Sequence, residues 1–447
     1  MKCKFRLTIG YAGIAAVYLV SAGNACAAGF ALIEQSASGI GNAFAGSAAS
    51  AEDASTIFFN PAGMTYLPGK QILVGVHAVK PTTNFNNNGS TTLNGTQALT
   101  GGNGGDAGSV GYVPNLYASL ELSPTMWLGF GVNAPFGLKT DYEPGWVGRY
   151  QALESDLKTV NINASLAFKV NDKISLGVGL SAQRAEATLS QAVDFGTICL
   201  GQFPPPNPTC SFLGLTPQNN DGSQELSASD WGYGYNLGAI FQISPDMRIG
   251  VNYRSRIDYT LSGTSTFSGV PTAFSTNVRF QNSNATADLT MPDTASLSVF
   301  QTFDEKWDIM GDITWTHWSV FNALTVNFAN GAPANVTPEN WRDTWRLSLG
   351  TSYKLSGSLK LRSGVAWDQT PVPDQTSRTA RIPDNSRTWI SVGASWYFAK
   401  GASLDFGYSH LFVPSTPIDH TQQAAGTLVG NYDSDVNILS VQAVWTF

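Results

Sequence analysis

The sequence predicts an all-β membrane fold, a 14-stranded antiparallel transmembrane β-barrel with an N-terminal hatch of short helices inside the lumen. Three observations carry that prediction. From Gln71 onward, stretches of about ten residues alternate apolar with small or polar positions, the pattern of a wall greasy on one face and wet on the other. Short connections ("LSPTM", "VNDKI", "ISPDM", "FDEKW", "LSGSL", "FAKGA") alternate with long ones at 84–112, 134–157, 192–227, 263–284, 322–340, 370–387 and 413–435, the two-ended asymmetry of an outer-membrane barrel. No run after residue 28 approaches the roughly 18 apolar residues of a spanning helix. In a bilayer, only a closed sheet would then satisfy the backbone.

Composition agrees. Of 447 residues only 13% are charged, while 11% are aromatic, including 12 tryptophans; soluble domains carry about twice that charge. Residues 1–27 read as a secretory signal: Lys2, Lys4 and Arg6 precede the apolar "LTIGYAGIAAVYLV", and Ala25-Cys26-Ala27 is a small-residue cleavage site. The mature chain then begins near Ala28. Gly23-Asn24-Ala25 lacks the aliphatic residue that lipidation at Cys26 would want. Losing the leader removes three cations and no acid from a chain of net charge −7, and so acidic an exported protein points away from nucleic acid. Cys199 and Cys210, the only mature cysteines, flank the Pro-rich "LGQFPPPNPT". In an oxidising compartment such a pair closes a disulfide; a metal site is the weaker reading, since no His lies near either.

The strands start near Gln71, Asn115, Met126, Thr159, Ile174, Trp231, Met247, Ala287, Trp307, Trp341, Leu359, Thr388, Ala402 and Val436. "VNINASLAFKV" shows their parity, with Ile162, Ala164, Leu166, Phe168 and Val170 opposite Asn161, Asn163, Ser165 and Lys169. By the same rule Ile249, Val251, Tyr253, Ile257 and Tyr259 oppose Arg248, Asn252, Arg254, Arg256 and Asp258. Trp345, Leu347, Leu349 and Tyr353 oppose Arg342, Arg346, Ser348 and Lys354. In a membrane barrel the charged face is the lumen. Aromatics near strand ends (Trp127, Trp307, Trp315, Trp318, Trp341, Trp345, Trp367, Trp396, Tyr397, Tyr408, Trp445) fit girdles at the two interfaces.

Residues 28–68 do not alternate. They are rich in Ala, Ser and Gly and include "DASTIFFNPAGM" at 53–64; small side chains suit a plug packed against a crowded wall. Ile57, Phe58 and Phe59 would bury against the lumen, and Pro61 and Gly63 would turn the chain toward the first strand.

The stretch "AGFALIEQSASGIGNAFAG", the triplet Asn60-Pro61-Ala62, "PFGLKTDYEPGWVGRYQALESDLKTVNINASLAF" with its "GRY.A..S" at 148–155, and the terminal Phe447 together resemble FadL-type outer-membrane transporters of long-chain fatty acids and related hydrophobic compounds. That resemblance implies a monomer in the outer membrane of a Gram-negative bacterium, among lipid and lipopolysaccharide, inserted by the assembly machinery that reads the terminal aromatic. It implies a signal peptide at 1–27, a hatch at 28–70 and a barrel at 71–447. Ala28, Gly29 and Phe30 would border the ligand pocket, and Asn60, Pro61 and Ala62 would hold the hatch. Ligand would leave sideways at the third strand, where Gly129, Gly131 and Pro135 suit a kink. The loop holding Cys199 and Cys210 does not match the family.

A fatty acid brings an alkyl tail, worth about 0.8 kcal/mol per buried methylene, and a carboxylate that must be paired when desolvated. Arg254, Arg256, Arg342, Arg346 and Arg362 share the wet parity and are candidates to bind it, or to brace the wall through acids such as Asp258, Asp312 and Asp405. "GGNGGDAG" lacks the Lys-Ser/Thr of a phosphate loop, no cofactor motif is visible, and transport would be passive. The rivals are uptake of monoaromatic hydrocarbons, a general porin, and a barrel lipase; against the last, His77, His317, His410 and His420 flank no Gly-x-Ser-x-Gly elbow.

Overall fold

The computed structural model describes residues 28–92, 95, 97–422 and 425–447. The leader therefore lies outside the described residues. One antiparallel sheet closes into a ring of 14 strands. In order these are β1 (Lys70–Asn87), β2 (Gly111–Ser123), β3 (Met126–Asn133, resuming at Gly137–Asp141), β4 (Glu154–Asn171) and β5 (Ile174–Asp194). There follow β6 (Asp221–Ser244), β7 (Met247–Arg254 and Ile257–Ser268), β8 (Ser283–Met291 and Thr294–Phe303), β9 (Trp307–Thr316) and β10 (Thr344–Lys354). The wall ends with β11 (Leu359–Asp368), β12 (Arg387–Ala399), β13 (Ala402–Phe412) and β14 (Gly426–Thr446). The ring closes where β1 meets β14, Gln71 opposite Thr446, with Phe447 and Lys70 exchanging backbone hydrogen bonds. Closure leaves no free edge, the condition for spanning a bilayer with strands. Among the described residues no helix is long and apolar enough to cross a membrane.

Parity holds through the spanning part. Ile162, Leu166, Phe168 and Val170 face outward, while Asn161, Asn163 and Ser165 are buried within. Long connections lie at one end and short turns at the other, and most strands run further into the long-loop end than the alternation reached. β6 begins at Asp221 and not near Trp231, β14 at Gly426 and not near Val436, and β8 at Ser283 and not at Ala287. Beyond the bilayer neither face meets lipid, so hydrophobic alternation is no longer needed. Trp341, expected to start β10, instead precedes it.

Two parity assignments are corrected. In β7 the strand breaks at Ser255-Arg256, where seven residues (255–261) oppose six of β6 (230–235). One extra residue flips every later side chain. Ile257 and Tyr259 accordingly point inward and are buried, whereas Arg256 and Asp258 are exposed. Among the girdle candidates, Trp307, Trp345, Trp367, Trp396, Tyr397, Tyr408 and Trp445 do face outward, but Trp127, Trp318 and Trp341 are buried. Trp127 follows the inward parity of β3 and donates its indole N–H to Leu67 O (2.9 Å), and the other two precede strands and pack inside.

Residues 28–69 thread the lumen. Helix α1 (Ala37–Gly41) lies against β12 to β14, α2 (Ser47–Ser50) against β7 to β9, and α3 (Thr56–Phe59) leads into a 3-10 turn, Pro61–Tyr66, against β3 to β6. Ser36 caps α1 by accepting from Gly39 N–H (3.1 Å), and such short helices survive because the wall supplies their remaining contacts.

Candidate ligand pocket and hatch

Asn60 shows how the hatch is held. Its side-chain oxygen accepts from Ala62 N–H (3.0 Å) and caps the 3-10 turn, with Pro61 at the first turn position, where the missing N–H costs nothing. Its Nδ2 donates to Ala48 O (2.7 Å) within the hatch and to Ala239 O (3.0 Å) and Val251 O (3.3 Å) on β6 and β7. The wall makes room with Gly238, where a Cβ would stand 1.9 Å from Asn60 Oδ1. Ala62 is fully buried.

A second attachment is ionic. Glu52 pairs with Lys360 (2.5 Å) and Arg362 (2.8 Å) on β11, and those cations also face Asp308 (3.2 Å from Lys360) and Asp405 (3.7 Å from Arg362). Against the desolvation that burial imposes, Arg362 and Lys360 hold the Glu52 carboxyl down to about 2. A small polar cavity inside the hatch is lined by Glu52, Asp53 and five serines. Ser47 and Phe59 separate it from a larger cavity above.

That larger cavity, with room of about 120 Å³, is the candidate pocket. Leu32, Ile33, Phe58, Phe59, Pro135, Phe136 and Trp318 give it an apolar lining, and β7 to β10 add Asn252, Arg254, Thr294, Ser296, Thr314, Thr316 and Thr344. Ala28, Ala31, Arg346 and Asp368 also line it. Arg254 is engaged: Nη2 donates to Phe58 O (2.7 Å) and the guanidinium lies 4.1 Å from the Phe58 ring centre. Arg346 is only partly so, with Nη2 donating to Ala43 O (2.8 Å) while Nε and Nη1 are buried without a protein partner.

The other three arginines do not reach the pocket. Arg362 is spent on Glu52 and Asp405. Arg256 sits outside the flipped β7, 3.5 Å from Asp293, and Arg342 is exposed in the connection before β10. Of the expected trio Ala28, Gly29 and Phe30, only Ala28 lines the pocket. Gly29 borders a smaller neighbouring cavity and donates its N–H to Asp384 (3.2 Å). Phe30 is packed among Trp318 (4.7 Å between ring centres), Trp341 (5.5 Å), Phe321 (5.6 Å) and Phe136 (6.2 Å), an aromatic stopper beside the pocket.

The wall is interrupted where the pocket touches β3. Gly129 and Gly131 lie in its regular, doubly paired part, so they do not form the kink; an added Cβ at Gly129 would meet Met64 and Ile57 of the hatch. The break is at 134–136, where three residues oppose two of β4. Beyond the Leu116–Val132 pair β2 and β3 are no longer hydrogen-bonded. The N-terminal segment lies along the broken strand instead: Leu32 N–H donates to Pro135 O (2.7 Å), Gly137 N–H to Phe30 O (2.9 Å), and Gln35 Nε2 to Ala134 O (2.9 Å).

Cys199 and Cys210 are bonded and buried with Phe195, Leu215, Phe274 and Phe280 in the loop after β5. Sequence reasoning missed Glu34, which is fully buried with neither carboxylate oxygen hydrogen-bonded. Desolvation pushes it up to about 7 even though Arg387 and Arg346 favour the charged form. No local motif marks it, because its surroundings come from β10, β11 and β12.

A closed wall, apolar outside, with a luminal plug and one apolar pocket beside a gap in the sheet defines a transport barrel of the Gram-negative outer membrane. Residues 18–447 match the family described as outer membrane protein transport protein (OMPP1/FadL/TodX), and the chain belongs to that family. It is 32% identical to outer membrane protein P1 of Haemophilus influenzae strain Rd, over 89% of each chain. To the long-chain fatty acid transport protein of Escherichia coli K12 it is 29% identical, over 90% of this chain and 92% of that one. The crystal structure of a Pseudomonas aeruginosa FadL homologue superposes with TM-score 0.86 at 26% identity, over 94% of this chain and 100% of the other. A Pseudomonas putida toluene transporter, TodX, shares the fold at TM-score 0.67 and 16% identity, over 94% and 100%.

Proposed function

We propose that the protein carries long-chain fatty acids, or hydrophobic molecules like them, passively across the outer membrane, acting as a monomer and without catalysis. The observation that supports a fatty acid most directly is Arg346, whose buried Nε and Nη1 have no hydrogen-bond partner and which lines the pocket together with Phe58, Phe59, Phe136 and Trp318. An alkyl tail suits the apolar lining and a carboxylate suits the guanidinium. Residues 28–70 act as the hatch of a barrel formed by 71–447, with Asn60, Pro61 and Ala62 as its fastening. Ligand leaves sideways through the gap at Pro135. The polar cavity around Glu52 and Asp53 favours that route, because an alkyl chain crossing it would lose its apolar surroundings.

The aromatic lining also favours a second ligand class, monoaromatic hydrocarbons, and uptake of labelled oleate and of toluene by cells with and without the protein separates the two. Oleate uptake unchanged by removal of the protein would sink the fatty acid assignment, and high ion conductance in a planar bilayer would point to a general porin.

A further inference from the structure

The outer mouth of the barrel is crossed by chain. The connection between β11 and β12, residues 369–386, does not stay over its own side of the wall. Arg381, in its middle, donates through Nη1 to Glu154 O (3.1 Å) and Ser155 Oγ (3.2 Å) on β4, and through Nη2 to Gln191 Oε1 (2.9 Å) on β5. Those strands stand half-way round the closed ring from β11 and β12, so the segment spans the full lumen. Its carbonyls are taken up on the far side too: Thr140 Oγ1 of β3 donates to Arg381 O (3.2 Å), and the Tyr142 hydroxyl to Ala380 O (2.7 Å). Arg381 is partly buried, with the buried Glu339 near enough to act on it electrostatically.

The spanning segment is covered from above by an apolar layer that the transport reading leaves without a role. Trp146 stacks on Tyr142 (3.9 Å between ring centres) and is buried with Leu99, Val147, Leu428 and Tyr432. The "GRY" triplet belongs to this layer. Gly148 is the only residue type that fits under the Trp146 indole, since a Cβ would lie 2.3 Å from it. Arg149 donates to Asp221 (2.8 Å) and to Thr100 O (2.6 Å), and so fastens its own connection to the one after β1 and to the start of β6. Beneath, Asp384 of the same segment accepts from Gly29 N–H (3.2 Å), next to the pocket-lining Ala28.

We propose that residues 369–386 are a strap that shuts the outer mouth over the ligand pocket, keyed by Arg381 to the opposite wall. The barrel then has two closures, the hatch toward the periplasm and the strap toward the outside, with the pocket between them. Removing Arg381 takes away four far-wall hydrogen bonds at once, the three above and one from Nη1 to Ser190 O (3.4 Å), while leaving every strand pair of the barrel untouched.

The test places one thiol in the pocket, Thr316→Cys, in the mature protein whose own cysteines are bonded to each other, and labels it on intact cells with a charged, membrane-impermeant maleimide. With Arg381 present labelling is slow. With Arg381→Ala it becomes about tenfold faster or more, as loss of several partly buried hydrogen bonds predicts for a local opening. Arg381→Lys, which can still reach one carbonyl, returns it toward the slow rate. Arg149→Ala speeds labelling as well, because it frees the covering layer. A heat-modifiable, folded barrel in which Arg381→Ala and Arg149→Ala both label at the unmodified rate overturns the strap. No fatty acid enters the assay, so its failure is separate from failure of the ligand assignment.

Discussion

Asn60 Nδ2 lies 3.0 Å from the carbonyl oxygen of Ala239, so one hatch side chain is hydrogen-bonded to the backbone of the barrel wall. A primary amide is the one group that can cap its own 3-10 turn with its oxygen while its nitrogen bridges hatch and wall. Asp would lose the donors, and Ser would not reach.

Asn60→Ala removes this bridge, and Pro61→Ala relaxes the start of the turn that follows. The expected cost to hatch docking for the first is about 1–3 kcal/mol, from buried donors and acceptors left without partners. Oleate uptake changes while heat-modifiable migration of the folded barrel does not. Normal uptake in both variants would mean that the segment merely links signal and barrel.

The same attachment can be broken from the wall side. Gly238→Ala puts a methyl group 1.9 Å from Asn60 Oδ1 without touching the hatch sequence. Proteolysis of the hatch in folded, detergent-solubilised protein is expected to speed up as in Asn60→Ala. A variant as resistant as the parent would show that the hatch shifts to accept the methyl.

Glu34 makes docking of the N-terminal segment depend on pH. It faces Arg346 and Arg387, with Asp368 beside them, and its carboxyl titrates near 7 in place of 4.5. A raised carboxyl binds more protons docked than free, so this contribution is complete below about 4.5 and is lost as pH rises toward and through 7. Hydrogen exchange of the Leu32 and Gly137 amides, corrected for intrinsic rate, should therefore be slower at about pH 5.5 than at about pH 8, and Glu34→Gln should flatten the difference. An equal pH dependence in Glu34→Gln would assign it to another group.

Arg346→Met keeps bulk and removes charge. If the carboxylate is held there, oleate binding weakens by about 10–100-fold, the equivalent of a charge-assisted hydrogen bond at about 1.5–3 kcal/mol. Toluene uptake is unchanged, since toluene has nothing to pair with the guanidinium. Equal loss of both ligands would show a general role in shaping the pocket.

The chain's own pattern was enough for the barrel, its closure, its two unequal ends and the outward face of strands such as β4, because a side-chain period of two follows from backbone geometry and the bilayer demands one greasy side. The pairing of Cys199 with Cys210 was legible for a different reason: they are the only mature cysteines. Parity reasoning also placed Arg254 and Arg346 on the lumen face. It failed for Arg256, Ile257 and Tyr259, since a one-residue bulge at Ser255-Arg256 leaves no periodic trace in a sequence that still alternates. It failed for Trp318 and Trp341, which lie outside any strand.

What only the tertiary structure decided is where chain remote in sequence meets inside the ring. Arg362 shares its parity with Arg346, yet Glu52 from the hatch pairs with the first, while the second lines the pocket with two N–H donors left without a hydrogen-bond partner. Glu34 acquires its raised pKa, Phe30 its aromatic cage and Arg381 its far-wall partners only when residues tens to hundreds of positions apart converge. Period and composition are local properties of the chain. Desolvation and charge pairing depend on which neighbours the closed wall brings within a few ångströms.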